Sequence, residues 1–412
     1  MKNRLVVIGN GMAGIRTVEE LLSASPEKYD ITVFGAEPHG NYNRIMLSSV
    51  LSGEKNIEDI ITHNRQWYTD HNILLHAGED KAVVEINRSR KCVIAKDGTQ
   101  AEYDRLLIAT GSKPVIPEIP GKDLQGVISF RDILDVNTML EYSRSHKRAV
   151  VLGGGLLGLE AANGLVLRGM HVTVIHTNPV LLNRQMDEQA GGMLQQALEA
   201  RGLHFKMPAR TQELIADNKG HVKSVRFEDG SELECDLFIT AIGVRPNMQL
   251  AQTAKLYCER GIVVNDNLQS YDPSIYAVGE CIQHRGATFG LVAPLFEQAK
   301  VCANHLSEHG MADYKTLPTS TKLKVTGINL FSVGNFLGDE NSEIITFTDP
   351  AFGLYKKLVI KNNKLIGTVL YGDTVDGSWY HELLEAEQDI TDIRENLIFG
   401  QRYLPTTEST HE

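Results

Sequence analysis

Two glycine-rich segments of this chain, LVVIGNGMAG and AVVLGGGLLG, have residue types and a spacing that suit phosphate binding. Their G-x-G-x-x-G glycines are Gly9, Gly11, Gly14, Gly153, Gly155 and Gly158. In this spacing the first glycine allows a tight turn, the second admits a pyrophosphate, and the third lets a helix pack close to a strand. Each segment therefore predicts a bound dinucleotide. A protein that holds two dinucleotides usually moves electrons between them.

The elements around the first glycine segment support this interpretation. Residues 5–8 are a short apolar run typical of a buried parallel strand, and residues 12–23 follow as a predicted helix. The N-terminal N–H groups of such a helix point towards bound phosphates. The next strand, ITVFGAEP, ends at Glu37, which lies 23 residues after Gly14. An acid near this spacing is expected to bind ribose hydroxyls.

The second glycine segment has the same predicted strand (149–152) and helix (156–168), but the position expected for the acid holds His176. An imidazole does not accept from a 2′-hydroxyl as a carboxylate does. It could instead face a 2′-phosphate, with Arg184 nearby, which favours NADPH or tolerance of both nucleotides. The alternative is that His176 is a surface residue at a strand end. The choice between NADH and NADPH stays open.

Three later segments resemble one another in pattern. YDRLLIATGSKP and CDLFITAIGVRPN each predict a buried strand that ends in a glycine turn, at Gly111 and Gly243, followed by a proline. DPSIYAVGECI predicts a further strand that ends near Gly279 and Glu280, and a helix is predicted to open near Pro294. The matched units indicate that the chain passes between two similar domains.

Composition excludes several other classes. Of 412 residues, 42% are hydrophobic and 23% charged, with a net charge of −11 and no block of like charge, which argues against nucleic-acid binding. No apolar stretch approaches the ~18 residues of a membrane-spanning helix, and the N-terminus lacks a signal-peptide pattern. The five cysteines form no C-x-x-C motif, which disfavours a disulfide scaffold, a redox dithiol or a cysteine-ligated cluster. A cytoplasmic setting is expected.

In this order, the segments resemble the two-dinucleotide flavoprotein reductases. The likeness is to the FAD- and NAD(P)H-binding part of the NAD(P)H nitrite reductase large subunit and to the electron-transfer flavoprotein of assimilatory nitrate reductase. It is carried by GNGMAG, YNRIMLSS, GGGLLGLEAA, NRQMD and YAVGEC, and LKVTGI and VLYGDT extend it past residue 370.

The resemblance implies an α/β fold with two Rossmann-like dinucleotide-binding domains, the NAD domain being inserted in the FAD domain, and a C-terminal α+β interface domain. It assigns FAD to residues 1–112 and 245–315, NAD(P)H to 113–244, and the interface domain to 316–402. The polar segment 403–412 is expected to be disordered.

Site residues follow from the resemblance position by position. It implies that Glu37 binds the adenosine ribose of FAD, that Arg44 and Ser48 run over the diphosphate towards the ring, that Glu280 binds the ribityl chain, and that the helix near Pro294 faces the flavin. The FAD residues implied are Gly9, Gly11, Met12, Ala13, Gly14, Glu37, Arg44, Ser48, Ala109, Thr110, Gly111, Gly279, Glu280 and Pro294. Those implied for NAD(P)H are Gly153, Gly155, Leu157, Gly158, Glu160, His176 and Gly243. Glu160 is expected near the nicotinamide, unless it is an acid favoured by a helix start.

Other sequence patterns bear on thiol chemistry, metal binding and a C-terminal helix. Around YNRIMLSS there is no cysteine, which disfavours a disulfide reductase or peroxidase, and Cys281 is the cysteine nearest in sequence to a predicted flavin contact. His305, Glu308 and His309 fit an H-x-x-E-H zinc pattern, but histidines also suit a helix end. We therefore expect no metal site. The segment DGSWYHELLEAEQDI, with Trp379 and Tyr380, is expected to begin an amphipathic helix packed on a C-terminal sheet. The alternative is an exposed docking patch near the flavin.

The expected function is hydride transfer from NADH or NADPH to FAD, followed by electron transfer to a separate iron–sulfur, rubredoxin-like, sirohaem or molybdenum reductase protein in nitrate or nitrite assimilation. The alternatives are a rubredoxin or ferredoxin reductase of another pathway, an NAD(P)H-sensing flavoprotein and an oxidase. A basic docking patch is predicted at Lys356, Lys357, Lys361 and Lys364, unless these are ordinary solvated residues. Neither nucleic acid nor membrane is expected as a partner, and a homodimer is one possible assembly.

Overall fold

The computed structural model describes residues 2–316, 320–325 and 327–404. The described residues form two compact units, one from residues 1–115, 131–136 and 243–317 and the other from 116–130, 137–242 and 318–412. Each unit contains a parallel sheet built from short runs of aliphatic residues. No helix in the described part of the chain is long and apolar enough to cross a membrane.

The first 115 residues begin with a strand, a glycine turn and a helix, as the first glycine segment predicts. The strand's last four residues, LVVI, are buried, as a central parallel strand requires. The strands are β1 (Asn3–Ile8), β2 (Tyr29–Gly35), β3 (Asn41–Tyr42), β4 (Ile61–His63), β5 (Leu74–Ala77), β6 (Val83–Asn87), β7 (Cys92–Ala95), β8 (Gln100–Glu102), β9 (Arg105–Ile108) and β10 (Ser112–Pro114). The helices are α1 (Met12–Ala24), α2 (Leu47–Ser52), α3 (Ile57–Ile60) and α4 (Arg65–Asp70), with 3₁₀ turns at Arg44–Met46 and Glu79–Lys81.

The next segment repeats this plan. The strands are β11 (Val127–Ser129), β12 (Arg148–Leu152), β13 (His171–Ile175), β14 (Leu203–Lys206), β15 (Thr211–Ala216), β16 (Val222–Phe227), β17 (Glu232–Glu234) and β18 (Leu237–Thr240). The helices are α5 (Ile133–Ser145), α6 (Leu156–Leu167) and α7 (Glu188–Glu199). The predicted boundaries of β12 and α6 are therefore correct to within one residue.

Residues 243–316 return to the first unit. The strands are β19 (Val244–Pro246), β20 (Ile262–Val264), β21 (Ile275–Ala277), β22 (Ile282–His284) and β23 (Ala287–Thr288), and the helices are α8 (Gln249–Thr253) and α9 (Val292–Leu306). Strand β19 pairs with β10, so the two chain segments that cross between the units run side by side, antiparallel.

The two parallel sheets have matching strand orders. The first is β21-β9-β1-β2-β5 and the second is β11-β18-β12-β13-β14. Each unit adds a three-stranded antiparallel sheet, β6-β7-β8 or β15-β16-β17. Because β21 follows the second sheet in the chain yet joins the first sheet, the second domain is inserted in the first, as predicted.

The C-terminal residues form an antiparallel sheet with one helix on its face. The strands are β24 (Thr321–Val325), β25 (Ile328–Gly334), β26 (Glu343–Asp349), β27 (Leu354–Lys361) and β28 (Lys364–Tyr371), the helix is α10 (Gly377–Glu385), and 3₁₀ turns lie at Pro350–Phe352, Thr391–Ile393, Leu397–Phe399 and Gln401–Tyr403. Tyr380 and Leu383 of α10 are buried against the sheet, which confirms the predicted amphipathic helix. The fold class is thus confirmed: two Rossmann-like sheets and a C-terminal α+β domain. Most of the predicted tail, residues 405–412, lies outside the described residues.

Candidate dinucleotide-binding sites

The first glycine turn closes tightly against the end of β9. Gly9 has φ +117°, and a Cβ there would lie 2.1 Å from the carbonyl oxygen of Ala109. A Cβ on Gly14 would lie 2.6 Å from the carbonyl oxygen of Gly9, so α1 packs directly on the turn. Only glycine satisfies both the backbone angle and these approaches.

The second turn has the same geometry. Gly153 has φ +129°, and its Cβ would lie 2.3 Å from the carbonyl oxygen of Ala241, at the end of β18. A Cβ on Gly158 would lie 2.0 Å from the carbonyl oxygen of Gly153. Ala241 is thus the counterpart of Ala109, a correspondence that the sequence already carries in ATG and AIG.

Both turns leave open space in front of a helix, which fits a pyrophosphate. Gly11 and Gly155 are the N-caps of α1 and α6, and neither helix has a side-chain cap or an acid in its first turn. A Cβ at either glycine would meet no atom within 4 Å. The free N–H groups and the positive end of each helix dipole therefore face unfilled space. Met12 and Ala13 begin α1, and Leu157 lies exposed in the first turn of α6.

Glu37 lies in a small polar cluster beyond β2. The hydroxyl of Tyr42 donates to its Oε2 at 2.7 Å, and Nη2 of Arg44 donates to its Oε1 at 2.6 Å. Nη1 of Arg44 donates to the carbonyl of Arg131 at 2.5 Å. Arg44 therefore lies beside the predicted ribose acid and neutralises it. Ser48 lies in α2, where its hydroxyl donates to a backbone carbonyl of the preceding turn.

A second polar cluster surrounds Glu280. The hydroxyl of Ser112 donates to Glu280 Oε2 at 2.7 Å, and Nη2 of Arg131 donates to the same oxygen at 2.5 Å. Both charged side chains are less than one-fifth exposed. Sequence reasoning missed Ser112 and Arg131. The first directly follows the ATG return, but Arg131 is far from Glu280 in the chain, so only the fold brings them together.

Hydrogen bonds tie the return loops in place. Thr110 donates to the carbonyl of Asn247 at 2.6 Å, next to Gly111, whose own carbonyl accepts from the Asn247 N–H. The N–H of Gly279 donates to Oε1 of Gln298, a fully buried residue of α9. Gly243 has φ +119°, and its carbonyl accepts from the N–H of Val115.

Helix α9 begins at Val292, two residues before the predicted start. Leu291 is its N-cap, so Pro294 is the third helical residue and still lies in the first turn. Proline suits this turn because its missing N–H would have no intrahelical partner there.

Strand pairing changes the interpretation of the second ribose position. Ile8 pairs with Phe34, and Leu152 pairs with Ile175. Glu37, three residues beyond Phe34, therefore corresponds to Asn178, whereas His176 corresponds to Gly35. The prediction that His176 occupies the position equivalent to Glu37 was therefore wrong. The number of residues between the last glycine of the turn and the end of the next strand differs between the two units, so counting along the sequence does not align these positions.

His176 is largely buried and packs over the second turn. A Cβ at Gly154 would lie 2.8 Å from the ring carbon Cδ2 of His176. Burial lowers the pKa of His176, although a hydrogen bond to Asn183 opposes this shift, and its Nε2 has no hydrogen-bond partner among the described residues. A neutral imidazole offers a hydrogen bond but no charge, so the argument for a 2′-phosphate loses its electrostatic basis.

Glu160 is the fifth residue of α6 and lies beyond its first turn. The macrodipole is felt mainly within the first turn, so a helix-start role does not explain this acid. Its predicted place near the nicotinamide stays a prediction.

The prediction of a basic docking patch at Lys356, Lys357, Lys361 and Lys364 is wrong for its first two residues. Lys356 and Lys357 are only 7% and 8% exposed. Nζ of Lys356 lies 3.0 Å from Asp373, and Nζ of Lys357 lies 3.3 Å from Asp187. Lys361 and Lys364 also form ion pairs, with Asp339 and Glu387. β27 is buried on both faces, and the residues that precede α10 and α7, Asp376 and Asp187, contact Lys356 and Tyr355 from opposite sides, which sequence alternation alone does not reveal.

The remaining sequence patterns have structural explanations. Cys281 is fully buried, and burial raises the pKa of its thiol to about 11. Nδ1 of His305 bonds to the hydroxyl of Tyr276 at 2.8 Å, while Glu308 pairs with Lys28. Among the described residues, no group of three His, Cys, Asp or Glu side chains could hold a metal.

Two glycine turns of this geometry, each on its own parallel sheet, define a protein that binds two dinucleotides. Residues 3–305 match the pyridine nucleotide-disulphide oxidoreductase family, and residues 319–388 match the rubredoxin NAD+ reductase C-terminal domain. The chain belongs to the pyridine nucleotide-disulphide oxidoreductase family. It is an oxidoreductase, and its cofactors are FAD and NAD(P)H.

Individual relatives agree with this assignment. The chain is 46% identical to a nitrite reductase [NAD(P)H] of Bacillus subtilis (strain 168), over 95% of this chain and 48% of the relative. It is 42% identical to the assimilatory nitrate reductase electron transfer subunit of the same organism, over 99% and 52%. A ferredoxin reductase structure from Rhodopseudomonas palustris matches with a TM-score of 0.84 and 25% identity, over 95% and 96%. The chain thus spans about half the length of the two curated relatives.

Proposed function

We propose that this chain is the FAD- and NAD(P)H-binding reductase of a nitrate- or nitrite-assimilating system and that it passes electrons to a separate redox protein. The observation that carries the proposal is the pair of equivalent glycine turns, each opening onto an uncapped helix N-terminus within one chain. The names of the two curated relatives supply the pathway.

In the first unit, residues 1–112 and 245–315 are proposed to hold FAD, which when bound accepts hydride from NAD(P)H and releases the electrons to the acceptor. The N–H groups of Met12 and Ala13 would hold its pyrophosphate, and Glu37 would accept from its ribose. Arg44, already paired with Glu37, orients that carboxylate. Such preorganised donors need no rearrangement when the ligand arrives.

The Glu280 cluster and α9 are proposed to act nearer the flavin. Glu280 accepts hydrogen bonds from Ser112 and Arg131, which fix the direction of its carboxylate. Gln298 holds the loop that carries Glu280 to α9. The positive end of α9 would then stabilise negative charge placed before it.

In the second unit, residues 113–244 are proposed to hold NAD(P)H. The first turn of α6, with Leu157, would receive the pyrophosphate, and His176 and Asn178 would lie at the ribose. Glu160 would lie near the nicotinamide. No residue is required as a nucleophile, because the hydride chemistry belongs to the cofactors.

The acceptor is proposed to lie outside these 412 residues. All five cysteines are free thiols, and four of them are buried, so they do not offer the ligand set of an iron–sulfur cluster. The partner proposed is an iron–sulfur, rubredoxin-like, sirohaem or molybdenum reductase protein. Free thiols also suit the reducing cytoplasm, which is the proposed location.

A second candidate is a rubredoxin or ferredoxin reductase of another pathway. It is favoured by the match of residues 319–388 to the rubredoxin NAD+ reductase C-terminal domain. An NAD(P)H-sensing flavoprotein has no such specific observation in its favour.

Anaerobic stopped-flow tests the proposal. Purified, FAD-loaded protein is mixed with NADH or NADPH, and the flavin absorbance is followed. Rapid bleaching, followed by reoxidation with a nitrite- or nitrate-reducing protein but slow reoxidation by rubredoxin or dioxygen, is expected. Fast reoxidation by rubredoxin alone would favour the second candidate, and absence of bleaching would contradict both. Ultracentrifugation of the same sample decides between monomer and homodimer.

A further inference from the structure

Asn10, which lies between the first two glycines of the first glycine segment, has each of its side-chain polar atoms paired within the protein. Its Oδ1 accepts from the hydroxyl of Tyr68 at 2.6 Å, and its Nδ2 donates to the carbonyl of His39 at 3.2 Å. The backbone carbonyl of Asn10 accepts from Nδ2 of Asn41 at 3.0 Å. The glycine turn is therefore tied to three segments that follow it in the chain.

These partners are rigidly placed. Tyr68 of α4 and Asn41 of β3 are only 1% and 4% exposed, and the hydroxyl of Tyr68 also accepts from the Asn41 N–H. His39 lies two residues after Glu37, on the same loop. Asn10 also packs on the end of β2, where a Cβ at Gly35 would lie 2.8 Å from the Cβ of Asn10. One side chain thus fixes the distance between the glycine turn and the Glu37 loop.

The second unit reverses this arrangement. By strand register, Gly154 corresponds to Asn10 and His176 to Gly35. Here the strand end carries the large side chain and the second glycine segment carries Gly154, whose Cβ would lie 2.8 Å from the His176 ring. Nε2 of His176 is buried and has no hydrogen-bond partner among the described residues, so this atom does not tie the second turn to a neighbouring segment as the side chain of Asn10 ties the first.

We propose that Asn10 is a positioning residue that retains FAD as a resident cofactor, whereas the reversed pair at Gly154 and His176 suits an exchanging nucleotide. This inference rests on the proposed FAD site. A ligand that spans from the pyrophosphate turn to Glu37 binds two segments at once. If their spacing is fixed beforehand, less ordering is required on binding, and the ligand leaves more slowly.

The test compares wild-type holoprotein with Asn10→Gly, which copies the residue of the second glycine segment. The matched control is Asn72→Gly, an exposed position of the same unit with φ +54° that is well suited to glycine. FAD release after dilution is followed by the rise of flavin fluorescence. The melting temperature of each apoprotein and the equilibrium binding of NAD+ are measured alongside.

We expect Asn10→Gly to release FAD about tenfold faster or more, the effect of losing one or two buried hydrogen bonds. Because the same hydrogen bonds are lost from the apoprotein, its melting temperature should fall by a few degrees. The NAD+ affinity of Asn10→Gly should stay near the wild-type value, and Asn72→Gly should behave as wild type. Unchanged release would overturn the inference. So would faster release accompanied by an equal loss of NAD+ affinity, because Asn10 would then act only through the general stability of the protein. A wild-type protein that binds no FAD would overturn the proposed function as well.

Discussion

The two nucleotide-binding units are alike at one end of their sheets and different at the other. Where β1 and β12 begin, an arginine forms an ion pair with the aspartate before the return strand and with a glutamate of the antiparallel sheet. These residues are Arg4, Asp104 and Glu102 in the first unit and Arg148, Asp236 and Glu234 in the second. The strand orders and glycine turns also correspond.

At the carboxyl ends of the strands the glycine turns are shared, but the side chains around them differ. Asn10 and Gly35 are replaced by Gly154 and His176, and Glu37 by Asn178. Ligands of open parallel sheets bind at these strand ends. We infer from the comparison that a common framework positions the dinucleotide, and we propose that a few strand-end side chains decide which dinucleotide binds and how firmly.

The largest effect should come from breaking one turn and leaving its counterpart intact. In Gly158→Val, the added side chain meets the carbonyl oxygen of Gly153, whose distance from a Cβ would be 2.0 Å. Overpacking of this kind costs about 1–3 kcal/mol, so we expect NAD+ affinity to fall by up to about 100-fold while FAD content is unchanged. Calorimetric titration measures the NAD+ affinity, and the ratio of flavin absorbance to protein absorbance measures the FAD content.

The control for this variant is Gly192→Val in α7, where a Cβ meets no atom within 4 Å. It should bind NAD+ as wild type does. Loss of FAD from Gly158→Val would contradict the assignment of the two turns to different ligands.

Arg131→Ala should act on the first unit alone. It leaves the Glu280 carboxylate, 15% exposed, with the Ser112 hydroxyl as its one remaining partner among the residues that the structure describes. Removing one partner of a largely buried ion pair costs several kcal/mol, of which we expect about 1–3 kcal/mol to appear as weaker FAD binding. The readout is the dissociation constant of FAD from reconstituted apoprotein.

The control variant is Arg148→Ala, which removes an arginine of the second unit whose side chain is 42% exposed. Exposed ion pairs contribute little, so its FAD affinity should equal that of the wild type. Equal loss in both variants would mean that Arg131 acts through general stability.

These contrasts also mark what could be predicted from the sequence. The glycine spacing and the apolar runs predicted β1, β12, α1 and α6 to within two residues, because both signals are local. The partner of Glu280 could not be predicted, since Arg131 is distant in the chain. The burial of Lys356 was missed because it depends on distant residues that contact β27 from opposite sides. His176 was paired with Glu37 because residue counts cannot replace strand register.

A smaller effect is expected from pH at the second ribose position. The pKa of His176 is lowered by burial, so the imidazole is neutral in the folded protein at pH 7 and above. The ratio of kcat/KM for NADPH to that for NADH should therefore be constant from pH 7 to 8.5. It should rise only as the pH falls through the lowered pKa, when a positive charge forms. His176→Arg should raise this ratio about tenfold at all these pH values, because its charge is permanent.

The same shift has a stability consequence with a definite sign. A histidine whose pKa is lower in the folded state binds fewer protons there, so its contribution is present above the unfolded-state pKa and is lost as pH falls. Wild type should lose stability relative to His176→Gln on going from pH 7.5 to 5.5. An NADPH preference that already varies between pH 7 and 8.5 would show that another group titrates.

The smallest effect should come from Cys281, which tests whether the first unit performs thiol chemistry of its own. With a thiol pKa of about 11, this buried cysteine stays protonated at pH 7–9 and is a poor nucleophile. Its Sγ lies 3.2 Å from the carbonyl oxygen of Val278, as expected of a packed residue. Cys281→Ala should therefore reduce flavin with NADH at a rate within about twofold of wild type, with a modest loss of stability from the small cavity. Stopped-flow rates and thermal melts separate the two effects. A tenfold loss of rate without a loss of stability would show that Cys281 acts as a redox thiol in the first unit. The two units would then differ in their chemistry and not only in the side chains at their strand ends.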